Sequence, residues 1–161
     1  MEISPTLGAG SCDLVTAAQA FHWFDPARAR AEFRRILRAG GRVVLVWNMR
    51  RTEATPFLRG YERLLREFGT DYRQVNCEQV SEERVADFFG GRVESRRFDN
   101  HQSLDFDGLR GRLLSMSYVP LAGQPGHEPM LAALARLFDE HNEGGRVRVE
   151  YDTKVYYGRL P

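Results

Sequence analysis

Lysine is almost missing from this chain: Lys154 is the only one among 161 residues, although lysine and arginine together number 23. The basic side chains are therefore arginines, a bias that fits GC-rich coding better than phosphate recognition. An excess of either charge is also absent. Twenty-three basic residues stand against 22 acidic ones, for a net charge of +1 and no charged block. That excludes nucleic-acid binding through a basic surface. Cysteine is scarce, with only Cys12 and Cys77. No CxxC pair or His/Cys cluster occurs, so neither a disulfide framework nor a zinc site is expected, and reduced cytosolic thiols are. Long hydrophobic runs are missing as well. Val43–Trp47 is far shorter than the roughly 20 residues a membrane helix needs. Met1–Gly10 lacks the basic-then-apolar pattern of an export signal, which predicts a cytoplasmic protein without membrane partners. There is no internal repeat, low-complexity tract or linker.

What is present predicts one domain, residues 1–161, with a single core. Hydrophobic residues make up 42% and charged residues 28%, as in ordinary globular proteins. Asp13–Ala18 has strand length and is apolar on both faces, as a buried parallel strand is. Asp25-Pro26 supplies a helix start, with Asp25 as N-cap. Ala29, Phe33, Ile36 and Leu37 form one apolar helical face, and Gly40-Gly41 is expected to stop the helix. Val43–Trp47 is a second buried strand. Strand, helix and strand make a βαβ unit with parallel strands and a right-handed crossover. Beyond Asn48, helices are expected from Pro56 to Phe68, over Ser81–Phe89, around Phe106–Met116 and from Pro129. Arg92–Phe98 reads as a strand. Val147–Tyr157 reads as one bent strand or two pieces.

Ligands of open α/β sheets sit beyond the carboxyl ends of parallel strands. Two such ends are visible, and they place Gln19, His22, Trp23 and Asn48 around one mouth. His22 is the candidate base, because imidazole titrates near neutrality; packing with a local hydrogen bond is its plainer reading. Trp23 and Trp47 could stack on a cation or simply fill the core. Arg50 and Arg51 could hold an acidic substrate by paired hydrogen bonds, or lie solvated at the surface.

The residues carrying the pattern are Asp13-Leu14-Val15, then Ala18-Gln19-Ala20-Phe21-His22-Trp23, then Gly40-Gly41 and the strand ending at Asn48. This run resembles the middle of class I S-adenosylmethionine-dependent methyltransferases (methyltransferase type 11), in particular the small-molecule type that includes trans-aconitate methyltransferase-like proteins. The family usually has proline where Ala39 stands, a minor departure because both glycines remain. Ser115–Pro120 resembles the family's segment after its lid helix, and Lys154–Arg159 its last, antiparallel strand. The resemblance implies an α/β fold, the C-terminal part of a Rossmann-like methyltransferase domain with parallel strands and a C-terminal antiparallel strand. It implies that Ala17, Ala18, Gln19 and Phe21 bind S-adenosylmethionine. It implies that His22 is the catalytic group, and that Trp23, Asn48, Arg50 and Tyr118 face a small-molecule acceptor, for which a carboxylate is one candidate.

The same resemblance sharpens an absence. The family's run follows a longer stretch carrying a glycine-rich loop, whereas ten residues precede it here. Gly8-Ala9-Gly10 follows no apolar strand, and Glu2 is the sole counterpart of the acidic stretch beside the adenine. The expectation is a half-domain whose first strand forms an open apolar edge able to pair with a second copy, giving a homodimer. Three readings stay open: a methyltransferase, an inactive remnant acting at most as a dimeric binding module, and a gene fragment of a longer enzyme.

Overall fold

A computed structural model describes residues 7–70, 72 and 81–161. Glu2 and Cys77 lie outside the described residues. The elements are β1 (Cys12–Ala18), a single 3-10 turn (Phe21–Trp23), α1 (Pro26–Ile36), β2 (Leu37–Arg50), α2 (Pro56–Phe68), α3 (Glu82–Phe88), β3 (Glu94–Leu104), α4 (Phe106–Leu114), α5 (His127–His141) and β4 (Val147–Gly158). The fold is α/β. Its strands form one sheet in the order β1-β2-β4-β3, parallel between β1 and β2 and antiparallel elsewhere.

The chain divides into two compact units. Unit 1 takes in Met1–Met49, Glu78–Phe98 and Asp152–Pro161; unit 2 takes in Arg50–Cys77 and Asp99–Tyr151. Strands β3 and β4 each begin in one unit and end in the other.

Unit 1 is built on the expected βαβ. The Asp25 carboxylate accepts a hydrogen bond from the Arg28 N–H at 2.9 Å, and Pro26 opens α1. The helix ends at Ile36, four residues ahead of the glycines expected to stop it. Its last carbonyls are already engaged: Gly10 N–H donates to Arg35 O at 2.9 Å and Ser11 N–H to Ile36 O at 2.8 Å. The glycine pair serves a bulge instead. Cys12 pairs with Leu37 and Leu14 with Arg42, so β2 spends five residues where β1 spends two. Gly40 takes the left-handed conformation there, at φ +83°. A Cβ on Gly41 would stand 3.2 Å from the Asp13 carbonyl.

Beyond the bulge the strands stay in step, Val15 with Val43 and Ala17 with Leu45. Ala17, Val43, Leu45 and Trp47 face a core completed by Phe21, Phe33, Phe88 and Tyr156. The expectation that β1 is buried on both faces is corrected. Among the described residues, its other face is open: Leu14, Thr16 and Ala18 are exposed, Leu14 by 51%. Parallel strands are covered on both faces only where helices pack on both, and α1 and α3 pack on one another beside the buried face. β1 is also the outermost strand of the sheet.

Unit 2 is a helical cluster. The Thr55 hydroxyl accepts from Leu58 N–H at 3.1 Å and Asp105 caps α4 through Gly108 N–H at 2.9 Å. Leu58, Tyr61 and Leu65 of α2 pack with Leu109, Leu113, Met130 and Leu134, against Val149 of β4. Helix α5 starts at His127 rather than Pro129. Proline is tolerated in that first turn because its missing N–H has no helical partner anyway. Gly144 and Gly145 lie past the end of α5, in a turn bridged by Glu143 and Arg146, and β4 is one continuous strand.

Candidate functional site

The parallel pair ends in a turn that tilts the chain sharply. Gln19 follows β1 with φ +50°, the only described non-glycine residue in the left-handed region. That conformation is costly for a side chain with a Cβ, and such positions cluster at functional sites. Two hydrogen bonds hold it. Gln19 N–H donates to Val46 O at 2.9 Å, and Gln19 Oε1 accepts from Asn48 N–H at 3.2 Å. The tip of β1 is thus fastened to the tip of β2 by main chain and side chain together. Asn48 is held further by Thr153, whose hydroxyl donates to Asn48 Oδ1 at 2.6 Å. Thr153 was not legible as a site residue, because its place beside Asn48 depends on the β2–β4 register.

Ala18 and Gln19 are exposed at this tip, while Ala17 is buried one residue earlier. Phe21, expected beside a cofactor, is wholly buried. Its ring meets Phe88 at 4.6 Å between centroids and Trp47 at 6.2 Å, so it props the turn from below and offers nothing to a ligand. Trp23 is the reverse: 63% exposed, on the outside of the turn. His22 lies between them, half-buried, its ring 4.8 Å from that of Trp23. Burial, then the Arg84 charge, pulls its pKa below the ordinary 6.5. The imidazole is therefore neutral at pH 7. Among the described residues its buried Nδ1 has no hydrogen-bond partner. Arg84, also missed in the sequence, stands over the Phe21 ring at 5.8 Å and donates to Phe24 O at 3.2 Å.

Gln19 and Asn48 therefore meet within unit 1, and His22 and Trp23 lie in the 3-10 turn that follows Gln19. Arg50 and Tyr118 belong to unit 2. The Arg50 guanidinium is buried against Glu62 at 2.7 Å and donates to the Tyr72 hydroxyl at 2.8 Å. That environment explains Arg50 as an internal ion pair. The Tyr118 ring packs 5.2 Å from Tyr72. No group of three or more metal-ligating side chains exists among the described residues. None of the described helices is long and apolar enough to cross a membrane.

Residues 2–45 match the family model of the methyltransferase domain. An uncharacterized methyltransferase of Mycobacterium bovis is 62% identical over 40 residues, covering 25% of this chain and 16% of that protein. An uncharacterized methyltransferase-like protein of Schizosaccharomyces pombe is 38% identical over 61 residues, covering 38% of this chain and 23% of its own length. The chain thus spans less than a quarter of either relative. Among solved structures, a proposed type II methyltransferase from Anaeromyxobacter dehalogenans superposes with a TM-score of 0.59 at 25% identity, covering 96% of this chain and 68% of that one.

Proposed function

We propose that this chain is of class I S-adenosylmethionine-dependent methyltransferase type, and that the Gln19–Asn48 edge holds part of an S-adenosylmethionine site and serves methyl transfer to a small-molecule acceptor. The observation that supports this most is the left-handed Gln19, locked to Asn48 across the carboxyl ends of two parallel strands.

The residues fit one end of the cofactor. Ala18 and Ala20 have side chains too small to cover the backbone of the turn; the Ala20 carbonyl already accepts from the Trp23 N–H at 3.0 Å, so an ammonium group would be held at the exposed Ala18–Gln19 end. Ala17, Ala18 and Gln19 would hold the methionyl part. Bound there, S-adenosylmethionine would supply an electrophilic methyl group on a sulfonium. Asn48, fixed by Gln19 and Thr153, would orient the acceptor with its side-chain amide. Trp23 would offer an aromatic face. His22, neutral at pH 7, would accept the acceptor's proton on a ring nitrogen. Positioning supplies most of the acceleration in such a transfer, so loss of His22 should matter less than loss of the turn.

Calorimetry with S-adenosylhomocysteine tests the reading. Submillimolar binding by this chain, lost in Ala18→Leu with the fold intact, supports it. No binding supports the inactive reading.

The exposed edge of β1 supports a second element of the proposal, a homodimer formed by strand pairing. Sedimentation at tens of micromolar should show a dimer that Leu14→Lys dissociates; a strict monomer removes this element.

A further inference from the structure

At the opposite end of β2 from Asn48, unit 1 carries a cleft of about 690 Å³. Its volume lies within the range of small-molecule sites, roughly 300–1,000 Å³. Three arginines line it: Arg42 at the start of the in-step part of β2, Arg92 after α3, and Arg159 after β4. None of the three has an ion-pair partner among the described residues. Glu94 is the one acidic side chain in the lining, and the Tyr157 hydroxyl donates to it at 2.9 Å. The side chains lining the cleft therefore carry a surplus of positive charge, although the whole chain is balanced at +1.

The wall is built rather than incidental. At Gly158 a Cβ would lie 2.9 Å from the Arg92 carbonyl, so only glycine lets the Arg92 backbone seat against the end of β4. Gly90, at φ +64°, allows the same close approach to Pro161. Phe89, Tyr157 and Leu160 add an apolar and aromatic side to the cationic one.

We propose that this cleft binds a phosphate monoester bearing a flat apolar group, with Arg42, Arg92 and Arg159 on the phosphate and Tyr157 and Leu160 against the ring. Guanidinium forks match phosphate oxygens in pairs, and a dianion balances the surplus better than a single carboxylate does. This site is separate from the Gln19–Asn48 edge and rests on no part of the methyltransferase reading.

The test is a titration of the full chain with phenyl phosphate, followed by amide shifts in NMR, with benzyl alcohol and inorganic phosphate as comparison probes. Phenyl phosphate is expected to bind most tightly, to shift the amides of Arg92, Gly158 and Arg159, and to weaken as salt is raised. Arg42→Gln/Arg159→Gln should weaken it at least tenfold without changing the melting temperature. Should that double variant unfold, the single Arg159→Gln, at an exposed position, should still weaken binding severalfold. Unchanged affinity in the folded variants, or benzyl alcohol binding as well as phenyl phosphate, would overturn the proposal.

Discussion

The Glu62 carboxylate meets the Arg50 guanidinium at 2.7 Å, with 4% and 7% of their side chains exposed. Tyr72 donates its hydroxyl to the same Glu62 oxygen at 2.6 Å, and Arg66 donates to the other at 2.8 Å. Removing one member leaves a buried charge without its partner. Glu62→Ala should therefore lower stability by about 3–5 kcal/mol in urea unfolding. The pair replacement Arg50→Met/Glu62→Leu should lie closer to the parent than Glu62→Ala, because neither desolvated charge remains.

The same carboxylate gives an acid limit. Burial pushes the Glu62 pKa up, but hydrogen bonds from Tyr72, Arg66 and Arg50 outweigh it and hold the group below its ordinary 4.5. A carboxyl lowered in the folded state stabilises fully above its unfolded value and loses that contribution as pH falls through the folded one. Acid unfolding monitored by circular dichroism should shift to higher pH in Tyr72→Phe, which removes one of the supporting donors.

His22 carries the opposite charge change with the same slope. Its folded pKa lies below 6.5, so the unfolded chain binds a proton that the folded one refuses. Stability should fall as pH drops from 6.5 toward the lowered folded value, and level off beneath it. In Arg84→Gln the His22 C–H resonances should titrate at higher pH than in the parent. An unshifted midpoint would contradict the assigned Arg84 contribution.

Gly69 sits at the end of α2, where a Cβ would fall 2.5 Å from the Leu65 carbonyl and 2.7 Å from the Tyr72 Cβ. Neither atom is a flexible side-chain end. Gly69→Ala should cost about 1–3 kcal/mol, the range for forced overpacking, although alanine lowers unfolded-chain entropy. Thermal denaturation measures it.

The βαβ core was legible because local chemistry and global position agree there: Asp25 caps, Pro26 starts, and β1 and β2 run parallel as their apolar runs imply. The Gln19–Asn48 meeting followed from the same rule. The Gly40-Gly41 pair misled, because it does not end α1. A Gly-Gly step marks a left-handed backbone without saying which device needs it. Gly40-Gly41 makes a bulge, whereas Gly90-Gly91, with left-handed backbone as at Gly40, follows the end of α3. The Arg50–Glu62 pair was hidden because burial of an arginine depends on tertiary packing, which residue type alone does not record. The burial of Phe21 was hidden for a related reason: motif position put it near a ligand, while three neighbouring rings and the Arg84 guanidinium hold it in the interior.

The path of the backbone sets a limit on dissection. Unit 1 is assembled from three stretches of sequence and unit 2 from two, with β3 and β4 each changing membership midway. Truncation at any one position therefore isolates neither unit from the other's sequence. A protease nick in a loop should leave fragments that co-purify until denaturant is added, and isolating either half for study calls for re-stitched connections rather than a shorter gene.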